Sequence, residues 1–238
     1  MNPTVLPTAD APVSLAEQVY QSIKQRILNQ TYPEGTALTE AMLSEEFGIS
    51  KTPIKTAIAR LTADGFLEAG FRKKVYVKAI TEEEILEYYE LRMIVERAAV
   101  ERIFQDDKTW DFSFLLEEAL LHMRANVGDF FAFETADAEL HRNLITAFQN
   151  NRILRMYDAM NDELVRMNTW LYQYNIANNQ AYAEEIIDGF QKFILAIRDK
   201  DQKAALHYLL DVHMGISKEQ ALRAVRAHRE ALNPGKGK

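Results

Sequence analysis

Residues 50–61 carry the side chains whose types and spacing most directly suggest chemistry, namely contact with a polyanion. The segment is Ser-Lys-Thr-Pro-Ile-Lys-Thr-Ala-Ile-Ala-Arg-Leu. If it is helical, Ile54, Ile58 and Leu61 repeat at i, i+4 and i+7 and face a core. The polar side chains then lie on the opposite or flanking faces: Lys51, Thr52, Lys55 and Thr56. A cationic helix surface of this kind can enter the major groove of DNA.

A second group that could do chemistry is Asp137 with His141, one helical turn apart on an apolar stripe. An acid and an imidazole at this spacing on a buried face can ligate one metal ion, or bind a polar ligand between helices. They can also satisfy each other by a buried hydrogen bond. The spacing alone leaves these alternatives open.

Arg92 is a third candidate, because Tyr88 and Tyr89 neighbour it on a predicted helix. A guanidinium that faces a cavity can bind a carboxylate through two hydrogen bonds. The alternative is an ion pair with Glu96, one turn further along the same helix.

The composition excludes several classes of protein. The chain has 238 residues, 47% of them apolar, which is enough for one large domain or two ordinary ones. It contains no cysteine, which rules out disulfides, thiolate zinc sites and a cysteine nucleophile. The sequence shows neither a membrane span nor a secretory signal, so we expect a cytoplasmic protein. It also shows no phosphate-binding glycine loop and no Ser/His/Asp arrangement, so we do not expect an enzyme.

Positive charge is concentrated near the N-terminus of this acidic chain, whose formal net charge is −7. Residues 1–80 contain 9 Lys+Arg and 8 Asp+Glu, whereas residues 81–238 contain 19 and 27. Residues 50–78 hold seven cations and two acids, including the run Arg72, Lys73 and Lys74. Such local charge is what a DNA-binding surface requires, whatever the charge of the whole protein.

The pattern predicts a mainly α fold with a winged helix-turn-helix followed by an antiparallel all-helical bundle. Helices are predicted at 14–29, after Thr39 and after Ser50, and Thr39 and Ser50 are the capping residues of the second and third. Short strands at 66–68 and 75–78 flank a basic loop and form a β-wing. From Thr81 onward we expect about six helices: 82–105, 109–125, 129–148, 151–172, 179–199 and 201–227.

These elements predict a division of the chain into five parts. Residues 1–12 form a disordered arm and 13–78 a DNA-binding domain. Residues 79–81 are a short junction, 82–228 a helical domain for effector binding and dimerisation, and 229–238 a flexible tail.

Residues 14–78 resemble the GntR superfamily of bacterial transcription regulators. The resemblance includes Pro33-Glu-Gly35 and continues through Phe47-Gly-Ile-Ser50 into the 50–61 segment. The family pattern there is Ser-Arg-Thr-Pro-Val-Arg-Glu-Ala-Leu, so Lys51 and Lys55 stand where the family has arginines. The resemblance implies that Lys51, Thr52 and Lys55 contact bases or phosphates. It implies that Arg72, Lys73 and Lys74 meet the DNA backbone or the minor groove.

The helical part resembles the FCD effector-binding domain of the FadR branch. The matching motifs are Glu90-Leu-Arg92…Val95-Glu96 and Asp137-Ala-Glu-Leu-His141. The family's metal site uses this Asp and His with two further histidines, which by spacing should stand at Phe190 and Val212. Since His213 follows Val212, the resemblance implies an incomplete site of Asp137, His141 and His213 for zinc, nickel or manganese. The pocket could instead bind its effector without a metal.

Together these patterns predict a homodimer that binds a palindromic operator through two recognition helices. A small effector, expected to be a carboxylate metabolite, would control operator affinity from a site formed by Arg92, Asp137, His141, Phe190 and His213. The alternative is a metal-responsive regulator in which a divalent ion at Asp137 and His141 is the signal.

Overall fold

The computed structural model of the protein describes residues 14–70, 74–174 and 179–232. The chain forms two compact units, Met1–Ile80 and Thr81–Lys238. The expected disordered arm and the wing residues Arg72 and Lys73 lie outside the described residues.

The first unit combines three helices with a small sheet. Its elements are α1 Leu15–Leu28, β1 Ala37–Leu38, α2 Glu40–Phe47, α3 Lys51–Ala63, β2 Leu67–Ala69 and β3 Val75–Val77. The sheet is antiparallel in the order β1-β3-β2, with Leu38 opposite Val75 and Leu67 opposite Val77. The sequence did not predict β1, because two residues are too few to show an alternating pattern.

Local signals explain where the helices of this unit begin and end. The Ser14 hydroxyl accepts a hydrogen bond from the backbone N–H of Glu17, and the Thr39 hydroxyl accepts one from Met42. Gly48 ends α2 at a φ of 67°, a left-handed conformation that glycine adopts without steric cost. The core beneath α1, α2 and α3 consists of fully buried aliphatic side chains: Val19, Ile23, Ile27, Leu43, Ile54 and Leu61.

The second unit is entirely helical among the described residues. Its elements are α4 Glu82–Gln105, α5 Thr109–Ala125, α6 Phe130–Ile145, a 3₁₀ turn Thr146–Phe148, α7 Asn151–Tyr174, α8 Asn179–Arg198, α9 Gln202–Leu206, a π-helix His207–Met214 and α10 Gly215–Leu232. The mainly α fold is confirmed. The last predicted helix, 201–227, corresponds to α9, the π-helix and α10 in succession.

Side-chain caps are present at the starts of α4, α6 and α9. Thr81 and Glu84 form a reciprocal capping box at the start of α4, as the sequence predicts. The carboxylates of Asp129 and Asp201 accept the backbone N–H groups of Ala132 and Ala204 at the starts of α6 and α9.

The C-terminal helix is longer than the sequence predicts. α10 continues through Leu232, four residues into the segment expected to be a flexible tail. Val225 is buried, and Arg226 donates to Glu82 at 2.8 Å, so packing and an ion pair against α4 extend the helix. No helix in the described parts of the chain combines the length and apolar character needed to cross a bilayer.

Candidate functional site

The exposed face of α3 presents the polar side chains that the sequence singles out. Ile54, Ala57 and Leu61 are buried against the core, and Ile58, expected on that face, is only partly buried. The opposite face leaves four predicted contact residues exposed: Lys51, Thr52, Lys55 and Thr56. The buried positions at i, i+3 and i+7 therefore direct the first two turns of α3 toward solvent.

Arg60, a cation near the end of α3, is engaged within the unit. Its guanidinium forms an ion pair with Glu17 and lies 3.9 Å from the ring centroid of Tyr20. The Tyr20 hydroxyl donates to Asp64 at 2.7 Å. These contacts connect α1 to the end of α3, so Lys51 and Lys55 are the exposed cations that this helix offers to a partner.

The start of α3 differs from the expected cap. Ser50 occupies the N-cap position with an extended backbone, but its side chain makes no capping hydrogen bond. Pro53 lies in the first turn, where its missing N–H requires no partner. Backbone N–H groups at a helix start favour anions, so this end of α3 is suited to a phosphate as well as to bases.

The wing brings one predicted cation into the described structure. Lys74 is exposed, and its carbonyl accepts the N–H of Gly70 at 2.9 Å, which closes the hairpin between β2 and β3. A Cβ added to Gly70 would overlap the ring of Tyr76, which explains a glycine at this position.

A partly buried polar triad that the sequence did not reveal connects α2 to α1. Arg26 pairs with Glu46 and donates to the Tyr32 hydroxyl, which in turn donates to Glu46 at 2.7 Å. Burial, reinforced by Glu46, raises the pKa of Tyr32 to about 12, so its hydroxyl keeps its proton. The three residues are separated by loops, and no short-range pattern links them.

In the helical unit the central residue of the polar core is Glu96 of α4, which is fully buried. Its Oε1 accepts hydrogen bonds from Arg92 Nε and from the Tyr157 hydroxyl, each at 2.7 Å. Its Oε2 lies 2.6 Å from His141 Nδ1, which donates to it. Burial alone would raise the pKa of Glu96, but the Arg92 charge and His141 outweigh burial and lower the pKa to about 2.

These contacts show the ion pair that was one alternative for Arg92 and exclude one alternative for Asp137, a hydrogen bond to His141. The ion pair between Arg92 and Glu96 is present, and it uses Nε of the guanidinium. Asp137 and His141 do not bond each other, because the Asp137 Oδ2–His141 Nε2 distance is 3.8 Å. Instead His141 Nε2 lies 2.9 Å from His213 Nε2, and one of these two nitrogens carries the shared hydrogen.

His213 reaches this core because the helix that carries it is a π-helix. From α9 to α10 one line of buried residues recurs every four positions, with Leu210 and Met214 also buried beside it: Ala205, Leu209, His213, Ser217, Ala221 and Val225. An α-helix turns ~100° per residue, so this spacing would drift by ~40° at each step and by ~200° over the series. The i→i+5 bonds of the π-helix take more residues per turn and offset the drift. His213 therefore points inward, while Val212, the expected position, is only partly buried.

The three expected metal ligands converge, and Phe190, one of the two positions where the resemblance implies a further histidine, lies beside them. One ligand atom from each of Asp137, His141 and His213 lies within 4.8 Å of the others. Glu96 holds the other nitrogen of His141, as outer-sphere carboxylates do for ligating histidines. Phe190 is fully buried and packs its ring 4.2 Å from that of His213. The set fits a divalent ion held by three protein ligands.

The core also contains polar atoms that lack a hydrogen-bond partner among the described residues. Each is inaccessible to solvent: Tyr88 OH, Tyr89 OH, Arg92 Nη2, Asp137 Oδ1, His213 Nδ1 and Ser217 Oγ. Burial raises the pKa of Asp137, and burial together with His141 and Arg92 lowers the pKa of His213. Burial therefore disfavours the charged form of both side chains. Hydrogen-bond donors and acceptors on α4, α6, the π-helix and α10 therefore have no protein partner among the described residues.

Two family models match the chain. One, described as bacterial regulatory proteins of the gntR family, matches residues 15–77, which contain α1 to β3. The other, the FCD domain, matches residues 87–214, more than half of the chain. The chain belongs to the GntR family of bacterial regulators and carries an FCD domain. This GntR-family protein is a DNA-binding transcription regulator and not an enzyme, since its named relatives are transcriptional regulators and repressors.

Relatives and solved structures agree with this assignment. The regulator is 26% identical over 209 residues to YdhC, an uncharacterized HTH-type transcriptional regulator of Bacillus subtilis (strain 168), covering 84% of this chain and 88% of YdhC. It is 25% identical over 199 residues to the gluconate operon transcriptional repressor of Bacillus licheniformis, covering 82% and 81%. A structure described as a GntR transcriptional regulator from Rhodococcus sp. RHA1 shares the fold with a TM-score of 0.74 at 20% identity, covering 89% of this chain and 99% of that one.

Proposed function

We propose that the regulator binds a palindromic operator as a homodimer and that a small carboxylate effector, bound in the polar core of the FCD domain, changes its operator affinity. In each protomer α3 would enter the major groove with Lys51, Thr52, Lys55 and Thr56 toward the bases and phosphates. Lys74, with Arg72 and Lys73, would contact the backbone or the minor groove. One recognition helix covers too few base pairs for adequate specificity, and two-fold symmetry doubles the site.

The observation that carries the effector site is the set of buried, unpartnered polar atoms around Arg92. A buried polar group without a hydrogen bond costs ~1–3 kcal/mol, so such groups are normally satisfied. Here they come from several helices: the Arg92 guanidinium lies 5.6 Å and 5.8 Å from the ring centroids of Tyr88 and Tyr89, and Asp137 and His213 converge with His141. A polar ligand that bonded several of them at once would gain affinity from each.

Arg92 supports a carboxylate as part of that ligand. Its Nε is occupied by Glu96, but its Nη2 is a buried donor with no partner among the described residues. Glu96 raises the pKa of Arg92 against the effect of burial, so the guanidinium keeps its charge. A carboxylate oxygen at Nη2 would receive a charge-assisted hydrogen bond. His141 and His213 would lie on the neighbouring side of the ligand.

The named relatives favour an organic effector over a metal ion as the signal. Two of them are described as a gluconate operon repressor and as a probable D-xylose utilization operon repressor. An ion at Asp137, His141 and His213 would supply positive charge next to a bound carboxylate. Such an ion would then be part of the effector site and not the regulatory signal.

Substitution of the recognition-helix lysines tests the DNA-binding assignment. An operator is first selected from random duplex DNA with the wild-type protein, and affinity is then measured by fluorescence anisotropy. Lys51→Ala or Lys55→Ala should weaken operator binding ~10-fold or more, because each removes a base or phosphate contact from both halves of the dimer. Their thermal stability should not change, since both side chains are exposed.

Lys203→Ala is the matched control, because Lys203 is an exposed lysine of the helical unit and should have no effect on operator affinity. If both recognition-helix variants bound the operator as tightly as the wild type at physiological salt, α3 would not be the recognition helix. Analytical ultracentrifugation of the free protein tests the homodimer separately.

A further inference from the structure

The helical unit carries an apolar surface that its own core does not use. On α5, Trp110, Phe114 and Leu121 are 58%, 52% and 60% exposed, and Leu195 on the adjacent α8 is 45% exposed. We name these four side chains the α5–α8 patch. A contiguous group of large apolar side chains at the surface of a folded protein generally marks an interaction site.

The patch arises from a second apolar stripe along α5. Trp110, Phe114 and Leu121 recur at i, i+4 and i+11, so they lie within ~40° of one another around the helix. Leu116 and Met123 of the same helix are fully buried and face the core. A helix that is apolar on more than its core face generally packs against something on the second face as well.

Specific contacts hold the aromatic end of the patch in a fixed orientation. The rings of Trp110 and Phe114 pack edge to face with their centroids 5.0 Å apart. The Arg198 guanidinium lies 5.9 Å and 5.8 Å from these two centroids. It also donates to Glu117 at 2.6 Å. Because the rings are oriented before a partner arrives, less conformational entropy is lost on association.

A groove between α5 and α8 lies toward the other end of the patch. Its volume is about 120 Å³, and its walls include four aliphatic side chains: Leu120, Leu121, Ile194 and Leu195. Polar groups surround these walls, including Arg124, which donates to Gln191 at 2.7 Å. Trp110 and Leu121 are 11 residues apart, which is ~16 Å along the helix. The exposed rings and the groove therefore lie on one surface, one after the other.

We propose that the α5–α8 patch is the homodimer interface and that its occupant is the same patch of a second copy. This assignment rests on the homodimer of the proposed function. In a two-fold interface, contact of residue i with residue j of the partner is repeated as contact of j with i. An antiparallel placement of the two α5 helices, with the two-fold axis near Glu117, would bring the aromatic end of each protomer to the groove of the other.

The size of the patch suits one side of a dimer. Aromatic side chains bury ~150–250 Å² each, so Trp110 and Phe114, each about half exposed, together offer roughly 150–250 Å². Leu121 and Leu195 add to this apolar area. A stable interface buries ~800 Å² on each partner, a little over half of it apolar. The patch and its polar surroundings are of that order.

Charge also favours a second copy at this surface. Residues 81–238 contain 19 Lys+Arg and 27 Asp+Glu, so net repulsion opposes the association of two helical units except through a surface that is locally neutral. In the patch the acid Glu117 is already paired with Arg198. Two copies can therefore meet there without bringing unpaired like charges together.

Another exposed apolar group, on α4, is less suited to self-association. Its members are Leu86, Leu91 and Ile94. The same helix face carries three exposed acids, which would be brought together in a dimer: Glu83, Glu87 and Glu90. The α4 group also has no aromatic member, whereas Trp and Arg are the residues enriched among those that dominate binding energy.

Sedimentation of full-length variants tests the interface. Leu121→Arg places a charge in the groove of both protomers and should weaken dimerisation at least ~100-fold. Trp110→Ala removes the inserted ring from both protomers and should weaken it ~30-fold or more. Ile94→Arg is the matched control and should leave the dimer intact, because Ile94 is as exposed as Leu121, at 61% and 60%, but lies on α4.

Cross-linking tests the placement of the two helices without altering the patch. The chain contains no cysteine, so Glu118→Cys introduces a single thiol, at an exposed position of α5 close to the proposed axis. A short bis-maleimide should join two copies of this variant covalently. Glu87→Cys is the control, because it introduces an exposed thiol on α4 that should not be joined.

The outcomes separate this interface from the proposed function. If Leu121→Arg stayed dimeric, or if Ile94→Arg dissociated the dimer in its place, the patch would not be the interface and the homodimer would stand. A wild-type protein that sedimented as a monomer, both free and with operator, would overturn the homodimer and the interface together. If Leu121→Arg did not fold by circular dichroism, the cross-linking pair would decide, and a dimeric Glu118→Cys protein that gave no cross-link would overturn the interface.

Discussion

Replacing Glu96 by glutamine removes the charge that organises the polar core while keeping its shape. Glu96 accepts hydrogen bonds from Arg92, His141 and Tyr157. A glutamine offers one carbonyl oxygen, which can still accept from Arg92 and Tyr157, and an amide NH₂ group, which would face His141 Nδ1 and require that imidazole to change its tautomer. The Arg92 guanidinium would also become a buried charge without a counter-ion.

Two considerations give the size of the effect. A carboxyl group whose pKa is about 2 in place of its ordinary 4.5 stabilises the folded state by roughly 3 kcal/mol once it is ionised. Breaking a buried ion pair by removing one partner typically costs ~3–5 kcal/mol. We therefore expect Glu96→Gln to lower the free energy of unfolding of the helical unit by ~3–5 kcal/mol.

Urea unfolding of the full chain measures this change. Both tryptophans, Trp110 and Trp170, lie in the helical unit, so their fluorescence reports on that unit. Glu219→Gln is the matched control, since Glu219 pairs with Arg223 at the same i, i+4 spacing on the exposed face of α10. An exposed pair contributes ~0–1 kcal/mol, so the control should unfold almost as the wild type does.

The pH dependence has a definite sign. Because the folded-state pKa of Glu96 is lowered, its contribution is fully present above pH ~4.5 and is lost as pH falls toward 2. The difference in stability between wild type and Glu96→Gln should be constant above pH 5 and shrink below it. A difference under ~1 kcal/mol at pH 7 would refute the view that Glu96 organises the core.

Two further predictions concern backbone geometry. Deleting Val212 should convert the π-helix to an α-helix and keep His213 facing inward. Deleting Glu219 should instead rotate the buried face of α10 by ~100°. The Val212 deletion should therefore lower the melting temperature less than the Glu219 deletion. Circular dichroism melts of the two deletions measure the difference, and equal losses would contradict the role given to the π-helix. Gly70→Ala should destabilise the wing and weaken operator binding while the melting temperature of the helical unit stays the same, because the added Cβ overlaps Tyr76. Unchanged operator affinity would show that the wing conformation is unimportant for binding.

The helix boundaries could be predicted because they depend on local chemistry. The capping box of Thr81 and Glu84 and the side-chain cap of Thr39 each involve residues three apart in sequence. The amphipathic pattern of α3 likewise placed Ile54 and Leu61 inside and the two lysines outside. Such signals are readable because the interacting groups lie within one helical turn.

The organisation of the polar core could not be predicted in the same way. Glu96 lies 45 residues from His141 and 61 from Tyr157 in sequence, and no local pattern joins them. The π-helix was hidden because its buried residues, spaced by four, look like an ordinary α-helical stripe. Sequence spacing therefore placed the fourth ligand at Val212, whereas backbone geometry brings His213 inward.

Stability alone does not account for this core. Buried ion pairs can often be replaced by well-packed apolar residues without loss of stability, so a folded bundle does not require Arg92, Glu96 and the two histidines in its centre. Unpartnered groups such as Arg92 Nη2 and Asp137 Oδ1 lower stability further, by ~1–3 kcal/mol each. A ligand that pairs with them recovers that free energy only in the conformation that brings these helices together. If the conformation with high operator affinity arranges the helices differently, the ligand binds the two conformations with different free energies. That difference in binding free energy shifts the regulator from one conformation to the other.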